Sequence, residues 1–271
     1  TLDWQNPDFK KDFPKYQQYL RSSVKLLAQN YGKIGGFWFD GNWSVKDADW
    51  EEDQLYETIR ESQPDAILIN NSGLKGRGQR GNQQLDTLTF EQGQIDDNGV
   101  RDQGRHLAME ACQTMNHHWG AAELDLDYKT PRQFIEMLNK CRRLNANYLL
   151  NIGLNGDGSV PLMSQAILHE MGVWTKMASK SFYEGVNSPL KAENGVYALD
   201  TEGFTDVYCP DIPLSAVNNV VEGTDKSITN IVLHHVKKQV ECIHWVDNGE
   251  QLQLTQDHDQ IQIAATSFPY G

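Results

Sequence analysis

The residues of this chain best suited to chemistry are two carboxylates, each at the end of an apolar run. Trp38-Phe39-Asp40-Gly41-Asn42-Trp43 sets Asp40 among aromatic side chains. Aromatic faces beside a carboxylate suit a sugar ring, whose C–H face stacks on them while the acid works at the anomeric carbon. The plainer reading is a turn after a strand, with buried tryptophans, and Asp40 alone does not decide between the two. Leu88-Thr89-Phe90-Glu91 ends in a second carboxylate beside an apolar neighbour, a setting that suits a general acid. Two carboxylates converging on one mouth are what glycoside hydrolysis needs: ~5 to 5.5 Å apart for a retaining pair, ~6.5 to 9.5 Å for an inverting one. Sequence does not measure that gap.

Other clusters point to less. Asn116-His117-His118-Trp119 gathers an amide, two imidazoles and an indole, but no third ligand stands at a metal-binding spacing, so no metal is expected. His234-His235 falls in a β-type run and reads as structural. Gly153-Leu154-Asn155-Gly156-Asp157-Gly158 lacks the Lys-Ser/Thr of a phosphate loop and reads as a turn. No serine lies in G-x-S-x-G and no cysteine has an evident histidine partner, which leaves acyl transfer without support. Cys112, Cys141, Cys209 and Cys242 are widely spaced, as expected of buried free thiols.

Positioning these residues requires strands that end where the carboxylates stand. A helix is predicted from Pro14, as its first helical residue, to Gly32, and a charged helix over 49–63 ahead of Pro64. Short apolar runs at 34–39, 66–70, 85–90, 110–116 and 147–152 read as buried strands. Thr130-Pro131 opens a further helix, and another covers 162–180. Strand-then-helix units of this kind call for a parallel sheet with functional residues at the carboxyl ends of its strands. After about residue 193 the pattern changes to short β-type runs at 196–199, 228–236, 240–246, 252–254 and 261–263, with an Asp247-Asn248-Gly249 turn. The expected organisation is a β/α portion over 1–190 and an antiparallel β-sandwich over 191–271.

Composition narrows the partners. With 24 Lys+Arg against 37 Asp+Glu, the net charge of −13 repels phosphate backbones, and no basic stripe offsets it, so nucleic acid is not expected. No apolar run approaches the ~20 residues that cross a bilayer. The chain opens on Thr1 without a visible leader, which leaves cytoplasmic and secreted locations open, as it does a homo-oligomer.

In this order the pieces resemble the α-L-fucosidases of glycoside hydrolase family twenty-nine over most of the chain. The matching motifs are Leu2-Asp3-Trp4, Asn30-Tyr31-Gly32, Trp38-Phe39-Asp40-Gly41, Ile69-Asn70-Asn71, Leu85-Asp86, Thr89-Phe90-Glu91-Gln92, residues 110–120, Asp127-Tyr128-Lys129-Thr130 and Asn147-Tyr148-Leu149-Leu150-Asn151-Ile152-Gly153, followed by Asp157-Gly158 and Pro161. The resemblance implies a (β/α)8-like TIM barrel followed by a β-sandwich, retaining removal of terminal α-L-fucose from a fucosylated glycan or oligosaccharide, and neither metal nor cofactor. It makes Asp40 the nucleophile and Glu91 the acid/base, with Glu110 the competing acid. Trp43, His118 and Trp119 would line the sugar pocket. Family barrels begin upstream of Leu2-Asp3-Trp4, and only about five barrel strands are legible in the chain, too few to close a barrel of ~8. The alternatives are a catalytically incomplete carbohydrate-binding relative, or a retaining glycosidase for another sugar.

Overall fold

Residues 8–45, 48–95, 101–102, 105–210, 214–216, 228–266 and 268–270 are described by the computed structural model of the chain. Leu2-Asp3-Trp4 lies outside them. Packing divides the chain into two compact units, Thr1–Lys129 with Met137–Ser164, and Thr130–Glu136 with Gln165–Gly271.

In the first unit, helix α1 (Asp8–Asn30) buries Phe9, Phe13, Gln17, Val24 and Ala28 along one face. It begins before Pro14 rather than at it. Proline inside a helix forfeits one backbone bond; here the turn ahead of it is held by aromatic packing, with the Phe9 and Phe13 rings 5.4 Å apart and Trp50 edge-on to Phe13 at 5.0 Å. Next come strand β1 (Gly36–Phe39), helix α2 (Glu52–Arg60) and strand β2 (Ile67–Asn70). The two strands pair in parallel, from Gly36 opposite Ile67 to Phe39 opposite Asn70. Tyr56, Ile59 and Leu68 are fully buried in the core beneath this β-α-β unit, with Val24, Leu55, Ala66 and Leu85 around them.

Strand β3 (Thr87–Glu91) follows, then a small antiparallel pair, β4 (Arg101–Asp102) and β5 (Arg105–His106), then strand β6 (Ala108–Thr114), helix α3 (Pro131–Arg143) and strand β7 (Asn147–Asn151). Helix α3 starts as its sequence predicts: the Thr130 N–H donates to Gln133 Oε1 at 2.8 Å and the Gln133 N–H to Thr130 Oγ1 at 3.3 Å, a reciprocal cap. β3, β6 and β7 form a parallel sheet with β6 central. β2 lies beside β3. The Asp86 N–H donates to Leu68 O at 2.9 Å near one end, and the Ser72 N–H to Thr89 Oγ1 at 2.9 Å near the other. Partners rise together in number, so the five strands run the same way in the order β1-β2-β3-β6-β7. Their carboxyl ends share one edge.

The second unit holds most of α4 (Leu162–Met177) and all of α5 (Ser179–Glu184), two helices where one was expected. The break is at Ala178, which leaves helical geometry with ψ 22°. Trp174 meets Phe182 at 5.7 Å and Tyr208 at 6.1 Å, fixing the bend by aromatic contact. The strands are β8 (Val186–Asn187), β9 (Tyr197–Asp200), β10 (Thr205–Tyr208), β11 (Leu214–Ala216), β12 (Ile228–His234), β13 (Gln253–Asp257), β14 (Gln260–Thr266) and β15 (Phe268–Tyr270). They pair as β10-β9-β8 and β12-β14-β13, both antiparallel, and as a parallel β11-β15 pair. The expected strand at 240–246 is absent; only an isolated bridge joins His244 to Gln251. The Gln256 side chain takes the place of a ladder there, accepting from the Val240 N–H at 3.0 Å and donating to Lys238 O at 2.9 Å. Cys242, expected to be buried, lies in this stretch and is exposed, whereas Cys112 and Cys141 are buried and Cys209 half-buried. No helix among the described residues is long and apolar enough to cross a membrane.

Candidate active site

Three neighbouring strands end at the site. Asp40 follows β1, Asn71 follows β2 and Glu91 closes β3. The register carries Asn71 level with Asp40, and the Asn71 N–H donates to Phe39 O at 2.8 Å. Asn71 is buried, and its Oδ1 accepts the Gly73 N–H at 3.2 Å, which turns its amide nitrogen toward the carboxylates. That nitrogen lies 3.3 Å from Asp40 Oδ1 and 3.0 Å from Glu91 Oε2. The two carboxylate oxygens are therefore no further apart than those two lengths laid end to end, short of the ~6.5 to 9.5 Å of an inverting pair.

Asp40 is held by one oxygen. Its Oδ1 accepts the Gly41 N–H at 2.8 Å, the Trp43 indole N–H at 2.9 Å and the Asn71 amide. Among the described residues nothing bonds to Oδ2, and the side chain faces solvent. Trp43 rides on a single 3-10 turn (Asn42–Val45) and is exposed. The Asn42 amide ties that turn to Glu52 Oε1 at 2.9 Å, and Asn70 reaches the same oxygen at 3.2 Å and the Tyr56 hydroxyl at 2.9 Å. Burial holds the Tyr56 phenol above its ordinary range, with the nearby Glu52 charge adding to it, so it remains a neutral hydroxyl.

Glu110 is placed differently. It is buried, with Oε1 accepting the Trp38 indole N–H at 2.7 Å and Oε2 the Asn147 amide at 2.7 Å. Both oxygens are engaged by protein. The Trp38 contact also measures curvature. β1 and β6 are separated by two strands, which in a flat sheet would set them about 14 Å apart at ~4.8 Å per step. A direct bond between them requires the sheet to curl, with Trp38 and Glu110 on its concave face. Cys112, two residues beyond Glu110 on β6, has its thiol pushed up to about 12 by burial and by the charges of Glu110, Glu91 and Asp40, so it stays protonated.

The loop after β6 carries His118 and Trp119. Gln92, next to Glu91, takes φ 46°, a left-handed turn out of β3, and its amide donates to Thr114 Oγ1 at 2.7 Å. Asp125 organises the loop: its Oδ2 contacts His118 Nδ1 at 2.6 Å and accepts the His117 N–H at 2.9 Å. The hydrogen bond from His118 holds the Asp125 carboxyl below its ordinary range. Trp119 is exposed, and its carbonyl accepts the Asn151 amide at 2.7 Å from the end of β7. Gly153 makes that approach possible, since a Cβ there would stand 2.3 Å from Gly120 O. Neither His118 nor Trp119 bonds to Asp40 or Glu91 among the described residues. No group of three metal-ligating side chains occurs among them.

Sequence reading singled out both carboxylates but missed the amide between them and the internal Trp38–Glu110–Asn147 contact. The signal for Asn71 was an asparagine one place beyond a strand end, level with Asp40.

Comparison with known proteins adds a family. A family model described as alpha-L-fucosidase matches residues 1–180. A curated alpha-L-fucosidase of Dictyostelium discoideum is 25% identical over 212 residues, covering 73% of this chain and 43% of that protein. The solved alpha-L-fucosidase isoenzyme 1 of Paenibacillus thiaminolyticus is 26% identical with a TM-score of 0.67, covering 96% of this chain and 61% of that one. The alpha-L-fucosidase AlfC of Lactobacillus casei, solved with its alpha-L-fucose product, is 27% identical with a TM-score of 0.52, covering 65% of this chain and 51% of that one. The chain thus spans less than two thirds of the length of each relative.

Proposed function

The chain belongs to the alpha-L-fucosidase family, and from that premise we propose that it carries the catalytic carboxylates of a retaining exo-α-L-fucosidase acting on fucosylated glycans or oligosaccharides. The observation that carries the reading is the Asn71 amide bonded to Asp40 and Glu91 at once. The bound that this shared amide sets on the gap between the two nearest carboxylate oxygens lies below the inverting range, which favours a retaining pair. Asp40 is the nucleophile: Oδ1 is pinned by three donors, and Oδ2 is left to attack the anomeric carbon and form the fucosyl-enzyme ester. Glu91 gives its proton to the departing glycosidic oxygen, then takes one from the water that opens the ester. Trp43, fixed by its bond to Asp40, offers an indole face to the sugar, and His118 and Trp119 approach from the loop after β6. The Trp38–Glu110 bond supports a barrel-type closure, with the antiparallel strands after β8 forming the β-sandwich. Glu110 is the weaker acid candidate because both its oxygens are occupied away from solvent.

Hydrolysis of 4-nitrophenyl α-L-fucoside by this chain and by a version extended upstream, each beside its Asp40→Ala variant, is the test. Turnover is expected where the remaining barrel strands are supplied, with a loss of about 10³-fold or more in the variant and partial return with azide, which enters the vacated space as a substitute nucleophile. Turnover unaffected by Asp40→Ala, or faster turnover of an aryl β-galactoside or α-galactoside, would overturn the reading. Fucose binding without turnover in either form would favour the binding-protein alternative.

A further inference from the structure

Within the loop between β2 and β3, residues 72–82 carry Lys75, Arg77 and Arg80 and no acidic residue, in a chain whose net charge is −13. It is fixed rather than trailing. The Gly78 N–H donates to Thr89 O at 2.8 Å, and Ser72 bonds to Thr89 through both its N–H and its hydroxyl. Arg80 is turned inward onto the Gln83 and Leu85 carbonyls. Arg77 is turned outward. Its Nε donates to the main-chain oxygen of Glu91, and its side chain lies against Gly93, where a Cβ would come within 2.6 Å of Arg77 Cδ. The two terminal guanidinium nitrogens of Arg77 and the ammonium of Lys75 meet no carboxylate among the described residues, and both side chains are exposed.

The place of Arg77 gives this charge a meaning. On the reading above, Glu91 protonates the glycosidic oxygen, so Glu91 stands where fucose joins the rest of the glycan. A guanidinium anchored on the main chain of Glu91 stands beside the residue that would meet the leaving group. Guanidinium nitrogens held by Nε and by packing present a fork suited to an oxyanion. The surrounding negative field disfavours anionic ligands, so an anion held here is held locally.

We propose that Arg77, with Lys75 on the same loop, forms a leaving-group subsite for an oxyanion-bearing sugar, so that the preferred substrate is a fucoside whose aglycone carries a sulfate or carboxylate group. The inference rests on the fucosidase reading for its catalytic meaning. Its binding half is independent of turnover.

Calorimetry reads that half directly, using methyl galactoside, its sulfate ester and its sialylated form as ligands. At least one anionic ligand is expected to bind about fivefold or more tighter than the neutral one, with the preference shrinking as salt is raised. Which of the two prefers the site distinguishes sulfate from carboxylate. Arg77→Gln removes most of the preference; Arg77→Lys, which keeps the charge but loses the Nε anchor, retains part of it, and Lys75→Gln lowers it further. Equal affinity for neutral and anionic ligands, no binding of any of the three, or a preference untouched by Arg77→Gln overturns the subsite. Absence of 4-nitrophenyl α-L-fucoside turnover with the preference intact sinks the fucosidase reading alone. Turnover without any preference sinks the subsite alone.

Discussion

Glu91 and Glu110 differ less in their distance from the carboxyl ends of the strands than in what their oxygens touch. Glu91 shares one amide donor with Asp40 and is half-exposed, whereas Glu110 is buried between Trp38 and Asn147 with both oxygens bonded. Their alanine variants should therefore fail in different ways. Glu91→Ala is expected to slow fucosides with poor leaving groups far more than activated aryl fucosides, because only the former need protonation. Glu110→Ala removes the acceptor of the Trp38 indole N–H and of the Asn147 amide, both on residues that water can reach, at about 0.5 to 1.5 kcal/mol each, and should lower the urea midpoint while leaving the dependence on leaving group unchanged. A leaving-group dependence appearing with Glu110→Ala would exchange the two roles. Sequence made both acids visible as carboxylates on strands. It did not separate them, because burial and partners 37 and 72 residues away decide the matter.

At the scale of elements, the strands were legible because each is a short apolar run stopped by a polar residue, and β1, β2, β3, β6 and β7 fall within a few residues of the predicted runs. Where reading failed, a tertiary contact overrode a local signal: aromatic packing carries α1 back past Pro14, and the Gln256 side chain satisfies the backbone where a strand at 240–246 was expected. The curl that brings Trp38 to Glu110 had no signature at all, since curvature is a property of several strands together. Loops depend on such contacts most. The segment bearing Trp119 rests on the end of β7 through the Asn151 amide and through the missing side chain of Gly153. Gly153→Ala would put a methyl group 2.3 Å from Gly120 O, so this segment must shift. A destabilisation of about 1 to 3 kcal/mol by urea unfolding is expected, with KM for the aryl fucoside rising more than kcat falls if Trp119 lines the sugar pocket. An unchanged KM with lowered stability would remove Trp119 from the pocket.

The chain packs as two compact units, and its cysteines report on them separately. Cys112 and Cys141 lie in the first unit, Cys141 within the core formed by Leu88, Phe90 and Met109, while Cys209 packs beside the second unit's cluster of Ile231, Leu233 and Ile261. Burial pushes each of these three thiols up to about 12, so at pH 8 almost none is present as the thiolate that reacts. Cys242 is exposed. In the native protein a thiol reagent should modify Cys242 quickly and the other three only as their surroundings open. The two units do not share a core cluster, so with rising urea Cys112 and Cys141 should become reactive together and Cys209 at a different midpoint, followed by pulse labelling and mass spectrometry. One shared midpoint for all three would mean that the two cores melt as a single cooperative body. Cys112 adds a check on the site itself. Its thiol is raised partly by the charges of Glu110, Glu91 and Asp40, so Asp40→Asn should bring that pKa down and quicken Cys112 labelling more than that of Cys141, whose shift comes from burial. Equal acceleration of both would show general loosening of the unit instead of a change in the charge above Cys112.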